Sequence, residues 1–140
     1  MNRASVPLAS RFQGKQINEQ ANPEAKIQAL SNMNSKAKDH ASVGGEEFKA
    51  YAFDYWQYLD SMVFWEGLVP SADVIDAAHR NGVPIYGTLF YNWSSSIKDQ
   101  ERFAETLKED SEGSKTFPIA RKLVDLAKYY GFDGYFINQE

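Results

Sequence analysis

Asn138 and Glu140 stand two residues apart in the closing segment FDGYFINQE. On a strand, that spacing turns both side chains to the same face. A carboxylic acid beside a carboxamide suits one kind of bond cleavage. Breaking a glycosidic bond needs an acid to protonate the departing oxygen, then a base to activate water. A second carboxylate is the usual nucleophile, but a sugar bearing a 2-acetamido group carries its own, because the acetamide carbonyl oxygen can attack the anomeric carbon. The protein then needs a polar group that orients the acetamide and stabilises the cyclic, oxazoline-like intermediate. An Asn amide can do this, with Glu140 supplying the proton. Taken alone, N-x-E is a weak pattern and reads more simply as a polar strand exit.

A dyad of this kind needs a framework that presents a strand end. Residues 1–23 are polar and aperiodic, punctuated by Pro7, Gly14 and Pro23, and read as an extended lead-in. The segment AKIQALSNM (25–33) mixes helical composition with near-alternation, so helix and strand both stay open. Residues 34–47, with Gly44-Gly45, form a polar loop, and an aromatic-rich block from Tyr51 to Trp65 ends in the strand-like run YLDSMVFW. SADVIDAAHR is helical, with Ser71 placed to cap it, Asp73 in its first turn and Asn81-Gly82 to stop it. VPIYGTLFY (83–91) is a buried strand, and DQERFAETLKE is a short amphipathic helix. Ile119, Leu123, Leu126, Ala127 and Tyr130 form the stripe of a helix lying on a sheet, with Gly131 as its left-handed cap. FDGYFINQE is the final strand. Asp133 and Gly134 are expected there as turn residues, with Gly134 leaving internal space.

Strands alternating with helices indicate parallel βα units. Ending on a strand, the chain is expected to be part of a larger β/α protein. Periodicity does not separate a closed barrel from a doubly wound sheet, although no G-x-G-x-x-G or P-loop follows any strand.

Fifteen Lys and Arg against nineteen Asp and Glu leave a charge of −4 over 140 residues. With no basic stripe, nucleic acid is a poor expected partner. No apolar run approaches the roughly 20 residues of a membrane span. The start, MNRASVPLASRFQGKQ, lacks a signal-peptide core, and zero cysteines rule out disulfides and thiolate chemistry without indicating a compartment. Secreted, cell-surface and cytoplasmic placement all stay open. His40 and His79 are the only imidazoles, and no zinc-binding spacing accompanies them.

The segments YWQYLDSMVFW, VPSADVIDAAHRNGVPIYGTLF and KYYGFDGYFINQE, in this order and spacing, strongly resemble glycoside hydrolase family 85, nearest to the bacterial endo-D type. The likeness covers roughly residues 24–140. Its most specific part is D-G-[YW]-[FL]-I-N-x-E, in which Asn138 and Glu140 match the family's Asn and its acid/base Glu. The resemblance implies an endo-β-N-acetylglucosaminidase that cuts the chitobiose core of N-linked glycans by a retaining, substrate-assisted route without metal or cofactor. It also implies a (β/α)8 TIM barrel, with AKIQALSNM, YLDSMVFW and VPIYGTLF as strands one to three and the Asn-Glu motif ending strand four. Against the family pattern the chain is truncated: residues 24–140 would be the first four βα units.

On such a barrel, Trp65, Tyr91 and Trp93 would ring the opening that holds the dyad, where aromatic rings can stack on the C–H faces of sugars. Asn92 and Asn32 could bind hydroxyls beside them. Packing is the competing role for every aromatic here, and the better one for Tyr55, Trp56 and Tyr58, which precede their strand. His79, late in its helix, is expected to make a partly buried hydrogen bond or a dipole interaction. A carbohydrate-binding module that keeps the fold without turnover is the alternative of different class.

Overall fold

The computed structural model describes residues 3–11, 20, 22, 24–32, 53–65, 67–92 and 97–140. Four strands, β1 (Gln28–Ser31), β2 (Ser61–Phe64), β3 (Ile85–Tyr91) and β4 (Gly134–Gln139), form one sheet in the order β1-β2-β3-β4, and every neighbouring pair is parallel. Helices α1 (Ala72–Arg80), α2 (Ile97–Thr106) and α3 (Pro118–Tyr130) fill the connections after β2 and β3. The ambiguous segment AKIQALSNM becomes a strand because β2 offers it a partner, with Gln28 opposite Ser61 and Ser31 opposite Phe64. No described helix is long and apolar enough to cross a membrane.

The core lies between the sheet and two of the helices. Met62, Phe64 and Ile85 from the strands meet Val74, Ile75 and Ala78 of α1 and Ala127 and Tyr130 of α3. Met62, Phe64, Ile75 and Ile85 are all but sealed from solvent, and burial of each side chain contributes roughly 1.5–3 kcal/mol. Pro118 starts α3 with its φ already helical, and Gly131 ends it at φ 87°, returning its N–H to Ala127. Ser71 departs from expectation. Its backbone takes the N-cap conformation and its carbonyl accepts from Ile75, but its side chain makes no capping bond, and its buried Oγ has no hydrogen-bond partner.

The connection between β2 and α1 folds back onto β3. Thr88 donates its N–H to the Gly67 carbonyl (2.7 Å) and its hydroxyl to the Phe64 carbonyl (2.8 Å). Gly87 permits this approach, since a Cβ there would stand 2.2 Å from the Leu68 carbonyl oxygen.

Residues 3–11 form no helix or strand, yet they are tied to the ends of α1 and α3. Ala4 and Ala9 donate to the carbonyls of Tyr130 and His79, where α3 and α1 end. The N–H groups of Ser5 and Val6 converge on Asp76 Oδ1 (2.8 and 3.0 Å). His79 is 4% exposed, with Nδ1 at 2.6 Å from the Val6 carbonyl and Nε2 at 2.9 Å from Asp133 Oδ2. The same Asp133 oxygen accepts the Ile85 N–H (2.8 Å). Asp133 is therefore a latch joining α1, β3 and β4 rather than turn chemistry alone. Gly134 serves backbone geometry, at φ 153°, while the Tyr86 ring lies at ordinary contact distance from the space a Cβ would fill. Of the aromatics before β2, Trp56 packs on the core and on Phe53, whereas Tyr55 and Tyr58 are mostly exposed.

Two carboxylates in this base titrate low. The Ile27 N–H holds the Asp60 carboxyl below its usual range, with Arg11 and Lys26 adding to the effect against a cost of burial. For Asp76 burial is the largest influence and opposes ionisation, but hydrogen bonds from Val6 and Ser5 outweigh it and lower the pKa. A carboxylate with a depressed folded pKa lends stability that is complete above its unfolded value, near 3.8, and lost as pH falls through the folded one. The urea midpoint should therefore lose this contribution only below about pH 4. The pair Asp60→Asn and Asp76→Asn should flatten that acid limb, and an unchanged limb would show that neither carboxylate matters to stability.

Candidate active site

The site is built at the C-terminal edge of β3 and β4. Phe90 pairs with Asn138 and Tyr91 with Gln139, and the Glu140 N–H extends the ladder by donating to the Tyr91 carbonyl (3.0 Å). Alternation along β4 then places Asn138 and Glu140 on the face opposite Ile137 and Gln139. Asn138 Nδ2 donates to Glu140 Oε1 at 3.0 Å, so the amide and the acid touch. Asn138 is half-buried and Glu140 exposed.

Glu140 opens onto a cavity of about 530 Å³, lined otherwise by Trp65, Gly67, Leu68, Thr88 and Phe90. Trp65 leans against Phe136, with ring centroids 6.2 Å apart. One wall is thus apolar and aromatic and the other carries a carboxylate, a surface suited to a sugar, whose ring has C–H faces and hydroxyl edges. Behind the sheet Tyr135 is half-buried, its sealed hydroxyl has no hydrogen-bond partner, and burial pushes it up to about 12, so it keeps its proton.

Of the residues expected around this opening, Trp65 lies in the cavity with Glu140. Tyr91 does not. Its side chain is 8% exposed, its ring packs edge-on against Phe103 of α2 (5.1 Å), and its hydroxyl is 2.7 Å from Thr106 Oγ1. The placement has a simple reason: neighbouring strand residues point to opposite faces, and α2 covers the face Tyr91 occupies. Asn92 is half-buried and lines a narrow crevice shared with Tyr91, Asp99, Phe103, Gln139 and Glu140. Asn32 is exposed just past β1, three strands from the dyad, and is not among the residues lining the cavity. Trp93 lies outside the described residues.

Phe90, Thr88 and Leu68 line the cavity without having been singled out. The signal for Phe90 was the alternation in IYGTLFY, which sets it opposite Tyr91. Phe90 is 51% exposed, an unusual situation for a large apolar ring inside a strand.

The sequence profile of glycosyl hydrolase family 85 matches residues 31–140. The chain belongs to glycosyl hydrolase family 85. The endo-D likeness carried by its motifs holds in three dimensions as well. The glycoside hydrolase domain of Endo-D from Streptococcus pneumoniae R6 is 80% identical, with a TM-score of 0.87, over 99% of this chain and 22% of that one. Cytosolic endo-beta-N-acetylglucosaminidase from Danio rerio is 32% identical across 99% of this chain and 18% of its own length. The human enzyme of the same name is 31% identical across 64% of this chain and 12% of its own. The chain therefore spans about a fifth or less of these family 85 relatives.

Proposed function

We propose that this chain supplies the acid/base centre of an endo-β-N-acetylglucosaminidase acting on the GlcNAc-β-1,4-GlcNAc core of N-linked glycans. The observation that carries the reading is the Asn138–Glu140 contact at the mouth of an aromatic-walled cavity, in a chain of family 85. The four parallel strands in sequential order agree with the first four units of a (β/α)8 barrel, whose strand ends carry active sites.

In this reading the 2-acetamido carbonyl oxygen of the sugar attacks its own anomeric carbon as Glu140 protonates the departing glycosidic oxygen. Asn138 orients the acetamide and stabilises the resulting cyclic oxazolinium ion, the protonated oxazoline, which keeps its N–H. Water then attacks the anomeric carbon from the face the leaving group vacated, Glu140 takes its proton, and the configuration is retained. An acceptor sugar hydroxyl in place of water gives transglycosylation. Every proton is handled by Glu140, so this scheme needs no metal or cofactor.

The test is release of glycan from a glycoprotein by the full-length enzyme, with retained configuration at the new reducing end. Bound glycan without release would favour a carbohydrate-binding module. Trp65 supplies a second check. If its ring stacks on sugar, Trp65→Ala should raise KM roughly five- to thirtyfold, a loss of about 1–2 kcal/mol of stacking and burial, with little change in melting temperature. A fall in melting temperature with kinetics that follow the folded fraction would make Trp65 a packing residue.

A further inference from the structure

Tyr91 was expected at the sugar and lies instead beneath α2, where its bonds lead back to the acid. We infer that Tyr91 is a positioning residue for Glu140, holding the last rung of the sheet through a clamp on α2. The inference rests on the acid/base role proposed for Glu140. Two observations carry it. The Tyr91 carbonyl accepts the Glu140 N–H (3.0 Å), the bond beyond the last strand pair that fixes where the Glu140 side chain starts. The side chain of the same Tyr91 is then held from the opposite face at two points. Its ring meets Phe103 edge-on, and its hydroxyl lies 2.7 Å from Thr106 Oγ1.

The direction of that hydroxyl bond follows from hydrogen counting. Thr106 Oγ1 gives its single hydrogen to the Arg102 carbonyl (2.8 Å), so Tyr91 is the donor and Thr106 the acceptor. Tyr91 is thus coupled to the backbone of α2 through the Thr106 hydroxyl. Glu140 itself is exposed at the end of β4, with the Asn138 amide on its carboxylate. Its backbone is consequently the part that can be held rigidly, and α2 holds it through Tyr91. Acid catalysis is steeply sensitive to such placement, since a displacement of about 1 Å can cost a hundredfold in rate.

The experiment uses the full-length enzyme and a glycoprotein substrate, comparing Tyr91→Phe, Thr106→Val, the double variant and Thr106→Ser. Each of the first two should lower kcat roughly three- to tenfold, the range of one lost hydrogen bond, with KM within about twofold of wild type. Because both break the same bond, the double variant should be no slower than the slower single. Thr106→Ser keeps the hydroxyl and should run near the wild-type rate. A rise in KM at unchanged kcat, multiplying effects in the double variant, a kcat that merely tracks the folded fraction, or no change at all would each overturn the inference. Glu140→Gln measured alongside separates the two levels. If it is inactive while Tyr91→Phe is normal, only the positioning role falls, whereas full activity of Glu140→Gln removes the acid role on which it rests.

Discussion

Glu140→Gln should reduce hydrolysis of a natural glycan by about two to four orders of magnitude, the usual range for loss of a general acid–base group. It should also be impaired with a preformed sugar oxazoline as donor, because a base is still needed to activate the acceptor hydroxyl. Asn138→Ala should behave differently. Natural glycan should be cleaved very slowly, but the oxazoline bypasses the step that Asn138 assists, so its transfer to an N-acetylglucosamine acceptor should persist. The structure supports that asymmetry. The amide of Asn138 donates to Glu140 Oε1, yet Glu140 is exposed, so water can replace the lost donor and leave the base competent. Rates of glycan release and of oxazoline transfer, measured on the same two variants, decide the matter. Equal loss of both activities in a folded Asn138→Ala enzyme would remove the role given to Asn138. Wild-type hydrolysis by that variant would remove the substrate-assisted route altogether.

Gly87→Ala should be the most damaging single methyl in this part of the molecule. Its Cβ would stand 2.2 Å from a backbone oxygen, that of Leu68, which cannot rotate away. Relief requires the 67–70 connection to lift off β3, breaking the bond from the Thr88 N–H to Gly67. Overpacking together with one lost hydrogen bond should cost about 2–4 kcal/mol, a large part of a marginal domain's stability. Gly113→Ala is the informative contrast. A Cβ there meets nothing within 4 Å, and only the positive φ of 75° opposes it, a penalty of about 1 kcal/mol. Urea unfolding of the two variants checks the prediction. Equal midpoints would mean that the connection yields and that Gly87 is not the contact point.

Some of this protein is written in short-range pattern. Asn138 and Glu140 share a face because strand side chains alternate, and no long-range contact is needed to know it. The α3 stripe and the left-handed Gly131 follow in the same way from helical period and the chirality of L-residues, which makes glycine the natural residue at that angle. The alternation of strands and helices likewise announces a parallel sheet.

Other features depend on residues far apart in the chain. AKIQALSNM had two local solutions, and pairing with β2 selected one. Phe90 and Tyr91 are adjacent aromatics in one strand, and composition does not say which faces the cavity. The β4 register and the position of α2 decide, sending Phe90 to the cavity beside Asn138 and Tyr91 beneath the helix. His79 makes the buried hydrogen bonds expected of it, but its partners, Val6 and Asp133, lie 73 and 54 residues away and were absent from any local window. Ser71 carries the residue type of a cap, yet in the folded chain its hydroxyl is buried without making the bond. Periodicity and backbone conformation are set by neighbours within a few bonds. Which face is covered, and by what, is set by packing of elements that meet only when the whole chain has folded.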